Sequence, residues 1–279
     1  MKILIFLAYL NLVKCLDVLI LTPFGSNTVQ SSFTIITKEL LSKGHNVTLL
    51  SPLNENIVNN NFTHFLAPHS SLGELDMFQI RAGSNYVNLW AKAFPLIVKD
   101  MYKSPKIMNL WEKRSSFDLI ILNSAANEMA LPFLIDMKVP FLTFAPAGSE
   151  AIQLSYLGNI VSPAAVPFII LPYNGYMTYK QRLHNTIYTF LHRFGYHSKV
   201  GKPVEVALKE IFPKFDDLWS YYPHQSGALI NRHYILDGPI PLLPNQVEVG
   251  CLSCREAKQL PKVNIFRKLL FLLLINCHK

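Results

Sequence analysis

Apolar residues fall along this chain in two alternating rhythms, short unbroken runs and longer stretches with helical spacing. The segment LDVLILTPFGSNTVQSSFTIITKELLSKGHNVTLLS, from Leu16 to Ser51, contains both. Asp17 to Thr22 is rich in Val, Ile and Leu and is bounded by Pro23 and Gly25, the pattern of a strand buried on both faces of a parallel sheet. From Ser32 the period lengthens. Phe33, Ile36, Leu40 and Leu41 recur at helical spacing, Ser31 or Ser32 can cap the start, and Lys43-Gly44 supplies a basic last turn and a C′ glycine. Asn46 to Leu50 then reads as a second strand. Strand, crossover helix and strand within about 35 residues form the unit of open α/β sheets, whose ligands bind where strand C-termini meet helix N-termini. The loop Pro23 to Gln30 is therefore the first place to look for function.

The alternation continues. A polar stretch, Leu53 to Asn61, leads into a short strand at Phe62 to Leu66, and Ser70 to Gly83 reads as a surface loop. Val87, Trp90, Ala91, Phe94, Ile97, Val98, Met101 and Tyr102 mark helix from Asn85 to Trp111, broken near Ser104-Pro105. Such an aromatic and Met stripe belongs in a core, or lines an apolar ligand pocket in a domain that has a cleft. Phe117 to Leu122 is again a strand, Glu128 to Met137 a helix and Val139 to Phe144 a strand. Ser155 to Gly175, with Pro163, Pro167 and Pro172, reads as a long ordered loop or lid. Thr178 to Phe194 resumes a helix, with Leu183, Ile187, Phe190 and Leu191 inside and Lys180, Arg182 and Arg193 outside. Val204 to Ile211 and Asp216 to Trp219 are short helical pieces, Leu229-Ile230 is the core of a strand, and Pro239, Pro241 and Pro244 mark an exit from the fold. The fold class is α/β, a Rossmann-like parallel sheet with flanking helices.

With 279 residues, 50% of them hydrophobic, the chain can bury a substantial core. Its first residues, MKILIFLAYLNLVKC, combine Lys2, an apolar run from Ile3 to Val13 and a Val13-x-Cys15 ending, the make-up of a secretory signal peptide over residues 1–15. A buried N-terminal strand is the alternative. Cleavage would deliver the chain to the endoplasmic reticulum lumen or beyond it and expose two sequons, Asn46-Val-Thr48 and Asn61-Phe-Thr63. Asn46 begins a strand, so Asn61 is the better acceptor. The net charge of +8, or +6 without Lys2 and Lys14, is spread over several helices, which describes a solvated basic surface rather than a nucleic-acid site. Four cysteines are too few for a disulfide scaffold, and Cys251-Leu-Ser-Cys254 has no second pair to complete a metal site. No GxGxxG or P-loop is present to cradle phosphate, which argues against a nucleotide-binding regulatory protein.

The Gly44-His-Asn-Val-Thr48 turn, the Phe117-Asp118 strand, Gly158-Asn159 followed by Ser162-Pro163 and Val166-Pro167, Met177-Thr178 with Gln181-Arg182-Leu183, Asn231-Arg-His233, and Pro241-Leu-Leu-Pro244-Asn245 with Val247-Glu-Val-Gly250 recur in order. Together they resemble the N-terminal half of a UDP-glycosyltransferase of the animal UDP-glucuronosyltransferase type, with an arthropod flavour, over Leu16 to about Lys262. The resemblance implies half of a two-domain glycosyltransferase B-type fold. Residues 16–245 would be an acceptor-binding Rossmann-like domain and 246–262 the start of an interdomain linker. It further implies hexosyl or glucuronosyl transfer from a UDP-sugar to small lipophilic acceptors, with the donor held by a C-terminal half, and in full-length form association with the endoplasmic reticulum membrane and with other family members. Residues 263–279 resemble nothing in the family and read as the product of an alternative or mispredicted exon. Their apolar run, Leu269 to Ile275, falls short of the ~20 residues that span a bilayer.

Glycosyl transfer needs a base for the acceptor hydroxyl and a carboxylate that orients and charge-stabilises it. By the resemblance, the base position falls at Val29, with Thr28 or Asn27 as polar neighbours, and the carboxylate position at Asn123. Neither is ionisable, although an insertion in Pro23 to Gln30 would shift the register. Asp118 and Glu128 are the nearby carboxylates, and His45 stands at the wrong end of the unit. Phe24, Trp90, Phe94, Asn123 and Tyr156 are the candidates for lining an acceptor pocket. No metal or tightly bound cofactor is implied, and a UDP-sugar donor is expected only with the C-terminal half. Two readings stay open: a UDP-glycosyltransferase half that is inactive alone, and a non-catalytic acceptor-binding or partner-binding module.

Overall fold

The strand read at Asp17 is the third strand of a seven-stranded sheet in a computed structural model that describes residues 15–68, 86–148, 151–168, 170–173 and 176–254. The strands are β1 (Asp17–Leu21), β2 (Asn46–Ser51), β3 (Phe62–Leu66), β4 (Leu119–Asn123), β5 (Phe141–Ala145), β6 (Gly227–Ile230) and β7 (Gln246–Glu248). They pair in the order β3-β2-β1-β4-β5-β6-β7, every pair parallel. The signal-peptide segment, the Ser70 to Gly83 loop and the 263–279 tail lie outside the described residues, save Cys15.

Alternation along the central strands divides the core in two. Leu19, Leu21, Ile120 and Leu122 face a large cluster with Phe94, Met101, Ile107 and Phe133. Val18, Ile20 and Ile121 face the other way, toward Phe33, Val47, Leu49 and Phe144. The first face is covered by α2 (Tyr86–Lys103) and α3 (Pro105–Glu112), broken at Ser104-Pro105 as the sequence predicts. The second is covered by α1 (Asn27–Ser42), whose C-terminus closes as expected: Gly44 takes φ 84°, its N–H bonds Leu41 O, and the His45 N–H bonds Leu40 O.

Four expectations need correction. Helix α1 begins at Asn27 rather than after Ser31 or Ser32; Ser26 is its N-cap, and the hydroxyls of Ser31 and Ser32 bond back to Thr28 O inside the helix. Gln30 extends it, since its buried amide donates to Leu53 O and Glu55 and accepts from Leu53 N, contacts that no local pattern reveals. Residues 128–137 are not an α-helix but a 3-10 helix over Glu128–Leu134, where Pro132 withholds a donor and all seven side chains are buried, leaving no amphipathic period. The sheet also continues past 245: after the prolines the chain returns as β7, too short to show alternation, and Glu248 pairs with Arg232 at 3.1 Å.

The fourth correction is the largest. Helix α5 (Tyr179–Tyr196), counted after the short α4 (Ala151–Ser155), forms where expected and starts on a Thr178/Gln181 capping box, but it is turned about its axis. Leu183, Ile187, Phe190 and Leu191 are exposed, whereas Asn185 and Thr189 are buried. Asn185 faces inward because the Pro-rich loop needs it. Its amide accepts from Phe168 N at 2.8 Å and donates to Val166 O at 2.9 Å and to Pro163 O, satisfying main-chain groups that would otherwise be orphaned. A short π-helical segment, His197–Gly201, joins α5 to α6 (Lys202–Ile211).

Candidate functional site

Strands β1 and β4 are neighbours, and the strands that follow each lie on opposite sides of the pair. Such a switch point opens a crevice beyond the strand C-termini. Thr22 follows β1 there and Asn123 ends β4. Asn123 is buried; its Nδ2 approaches Phe24 O at 3.4 Å and Thr22 Oγ1 at 3.5 Å, while its Oδ1 accepts from Ala125 N at 3.2 Å. An amide suits this place because it both donates and accepts, tying together the two loops that leave the sheet.

Above these loops the aromatic candidates converge. The Phe24 ring lies edge-on to Phe94 at 5.2 Å and to Trp90 at 6.5 Å, and Trp90 stacks on Phe94 at 5.6 Å. Trp90 meets Tyr196 edge-on at 6.3 Å, and the Tyr196 hydroxyl donates to Glu128 Oε1 at 2.9 Å. Tyr156 stacks on Tyr222 at 4.1 Å and approaches Trp219 at 5.7 Å. Phe24, Trp90, Phe94 and Asn123 thus form one contiguous group, with Tyr156 in a second aromatic set joined to it around Glu128. Phe94 is fully buried and supports the cluster, whereas Phe24, Trp90 and Tyr156 keep some exposure.

Glu128 is the polar centre of this arrangement. Ala126, with φ 55°, puts a non-glycine residue in the left-handed region and turns Asn127 and Glu128 back over the sheet end. Asn127 accepts from the Tyr222 hydroxyl at 2.8 Å. Burial holds the Glu128 carboxyl above the ordinary value of 4.5, while its own backbone N–H and the Tyr196 hydroxyl pull it down. Burial, and then the neighbouring Glu128 charge, push the Tyr196 and Tyr222 hydroxyls well up. Glu128 Oε2 has no hydrogen-bond partner among the described residues. The sequence offered Glu128 only as a nearby carboxylate and missed Tyr196, Tyr222, Trp219 and Asn127, which come from three separate stretches of the chain.

Val29 stands in the first turn of α1 and packs with Val18, Ile20 and Phe33, the cluster on the other face of the sheet from Trp90 and Phe94. His45 lies at the opposite end of β1, where its Nδ1 accepts from Leu16 N at 3.2 Å. Asp118 caps the start of β4, its Oδ2 accepting from Asp17 N at 3.0 Å. Cys251 and Cys254 form a disulfide, and among the described residues no group of three His, Cys, Asp or Glu could hold a metal ion. Of the two sequons, Asn46 donates to Asp17 Oδ1 at 2.7 Å at the start of β2, and Asn61 is exposed just before β3.

An open parallel α/β sheet with a crevice at its switch point defines a large class of ligand-binding domains. Comparison of sequences narrows it: residues 80–267 match the family described as UDP-glucoronosyl and UDP-glucosyl transferase, and the chain belongs to that family. UDP-glycosyltransferase UGT5 of Dactylopius coccus is 24% identical over 266 residues, covering 91% of this chain and 51% of that protein. UDP-glucuronosyltransferase 1A9 of Homo sapiens is 26% identical over 171 residues, covering 58% of this chain and 30% of its own length. A solved structure of Phytolacca americana UGT2 complexed with UDP-2fluoro-glucose and pterostilbene aligns at 14% identity with a TM-score of 0.43, over 87% of this chain and 55% of that one. The chain spans about half the length of the first two curated relatives, 51% and 49%. Among the described residues, no helix is long and apolar enough to cross a membrane.

Proposed function

We propose that this chain is the acceptor-binding half of a UDP-glycosyltransferase that works on small lipophilic acceptors bearing a hydroxyl, and that it turns over only with a donor-binding half. The observation that carries the reading is the Phe24–Trp90–Tyr196–Glu128 cluster above the switch point. Aromatic faces supply apolar surface for a flat ligand, and one buried carboxyl supplies a polar anchor, the usual composition of a small-molecule site. A donor half would hold the sugar in line with the acceptor oxygen, and the rate enhancement from orientation depends on both halves.

A second reading is favoured by Val29 and Asn123. With an apolar side chain packed into a hydrophobic cluster at one position and an amide engaged with two loops at the other, the reaction has no base and carboxylate pair there. The chain would then bind acceptors without transferring sugar to them. Fusing residues 1–262 to the donor half of an active relative separates the readings. Activity only after Val29→His and Asn123→Asp supports the non-catalytic reading. Transfer at the relative's rate by the unaltered fusion refutes it and places the base elsewhere. Loss of the pair would lower the rate by about 10²- to 10⁴-fold.

A further inference from the structure

Five residues beyond Asn123, the loop that leaves β4 brings one carboxyl into the aromatic set at the sheet end. Glu128 is 8% exposed; Oε1 accepts from the Tyr196 hydroxyl at 2.9 Å, whereas Oε2 is buried with no hydrogen-bond partner among the described residues. Burying a carboxylate oxygen in this state is unfavourable, and such groups persist where function uses them. The direction of the side chain is set from both ends. Ala126 at φ 55° and the 3-10 helix Glu128–Leu134 fix its backbone, and the Tyr196 hydrogen bond anchors one side of the carboxyl.

The other polar groups of the set are engaged or hold their protons. Asn123 uses both ends of its amide on Thr22, Phe24 and Ala125, and Asn127 accepts from Tyr222. Burial pushes the Tyr196 and Tyr222 hydroxyls well up, so they serve as donors. The imidazoles in this region meet aromatic rings: His197 Nδ1 accepts from the Trp219 indole N–H at 3.0 Å, and His192 packs on Phe168 at 4.7 Å and stacks on Tyr196 at 6.1 Å. The Arg193 guanidinium lies 5.5 Å over Trp219. Burial is the largest influence on the Glu128 carboxyl, two hydrogen bonds follow, and no charged side chain is among its causes. Among the described residues around the cluster, Glu128 thus combines an unengaged oxygen with a pKa moved toward neutrality, the two properties a general base needs.

We propose that Glu128 Oε2 receives the hydroxyl proton of the acceptor, which puts the base of the transfer reaction on the loop after β4 rather than at Val29. The inference rests on the first reading above, in which the aromatic cluster holds a hydroxyl-bearing acceptor. The O–H proton passes to Oε2 as the acceptor oxygen bonds to the anomeric carbon of the UDP-sugar. The bond from that carbon to the UDP oxygen breaks, UDP leaves with the bonding pair, and Glu128 then gives its proton to water. A carboxylate performs the same step on a water molecule in inverting glycoside hydrolysis.

Absorbance of 4-nitrophenol, whose ionised form alone is coloured, tests the contact in the full chain. Beside a buried carboxylate the bound phenol keeps its proton, so at a pH where half of the free phenol is ionised the parent suppresses the coloured form by about ten-fold. Glu128→Gln, which has the same shape, binds the phenol without that suppression. In the fusion to a donor half, Glu128→Gln lowers kcat by about 10²- to 10⁴-fold and changes KM for the acceptor far less. Tyr196→Phe removes a hydrogen bond that holds the Glu128 pKa down, so the acid limb of the kcat/KM profile moves to higher pH, a shift that a merely structural role for Glu128 does not produce. Failure of the folded parent to bind 4-nitrophenol refutes the acceptor-site reading itself. The proposal alone is overturned if the phenol binds with the same spectrum in the parent and Glu128→Gln, if the Glu128→Gln fusion turns over as the unaltered one does, or if the fusion is active only after Val29→His and Asn123→Asp.

Discussion

Replacing Asn185 by alanine tests the orientation of α5, the point on which sequence and structure differ most. The side chain is fully buried and serves three main-chain groups, Phe168 N at 2.8 Å, Val166 O at 2.9 Å and Pro163 O. Truncation orphans a buried N–H outright, and one such group costs about 1–3 kcal/mol. The two carbonyls belong to a surface loop and can recover part of their loss from water, so the expected total is about 3 kcal/mol. Leu183→Ala, half exposed two residues away on the opposite face of the helix, should stay within about 0.5 kcal/mol. Were Leu183 inside, as its spacing in the sequence suggests, that change would cost about 2–5 kcal/mol. Urea unfolding followed by tryptophan fluorescence compares the two variants directly. A destabilised Leu183→Ala beside an unchanged Asn185→Ala would refute the orientation.

Two further outcomes follow from single side chains. The pKa of Glu128 is raised in the folded state, so the native chain keeps a proton that the unfolded chain releases, and stability falls as pH rises from about 4.5 through the folded value. Glu128→Gln removes that slope, and its stability relative to the parent increases from acid toward neutral pH; equal slopes in urea unfolding would show that the carboxyl is not buried as described. In animal cells that deliver the chain to the secretory pathway, Asn61→Gln removes a glycosidase-sensitive mass increment, because Asn61 is exposed beside β3 whereas Asn46 is tied to Asp17. Intact mass spectrometry reads this, and retention of the whole increment in Asn61→Gln would contradict it.

The parallel sheet was legible because unbroken Val, Ile and Leu runs have few other uses in a globular chain, and β1, β2, β4 and β5 lie within two residues of where their apolar runs place them. Helix α5 misled because its apolar residues have the right period but the wrong side. Periodicity shows that a helix has an apolar face, not that the domain covers it, and the loop's need for Asn185 as a hydrogen-bond partner decided the matter. Strand β7 was too short to carry a pattern, and α1 gained its first turn from Gln30 meeting Leu53, residues far apart in sequence. At the candidate site, Phe24, Trp90 and Phe94 were visible because they border a strand end or share one helix stripe. Tyr196 and Tyr222 were not, since each lies on its own element and only the packing around Glu128 brings them together. The sequence pattern puts Val29 in a loop, whereas it stands in the first turn of α1, so the local structure around the position assigned to the base is not legible in the sequence.

Titration calorimetry of the full chain with 1-naphthol, a flat lipophilic alcohol, tests the acceptor-binding claim most directly. The account predicts saturable binding accompanied by quenching of tryptophan fluorescence. Trp90→Ala, which removes the ring between Phe24 and Tyr196, should weaken it by about ten-fold or more, while Leu183→Gln on the outer face of α5 leaves it unchanged. Absence of binding, or equal affinity in the parent and Trp90→Ala, would contradict the assignment of this cluster as the acceptor site.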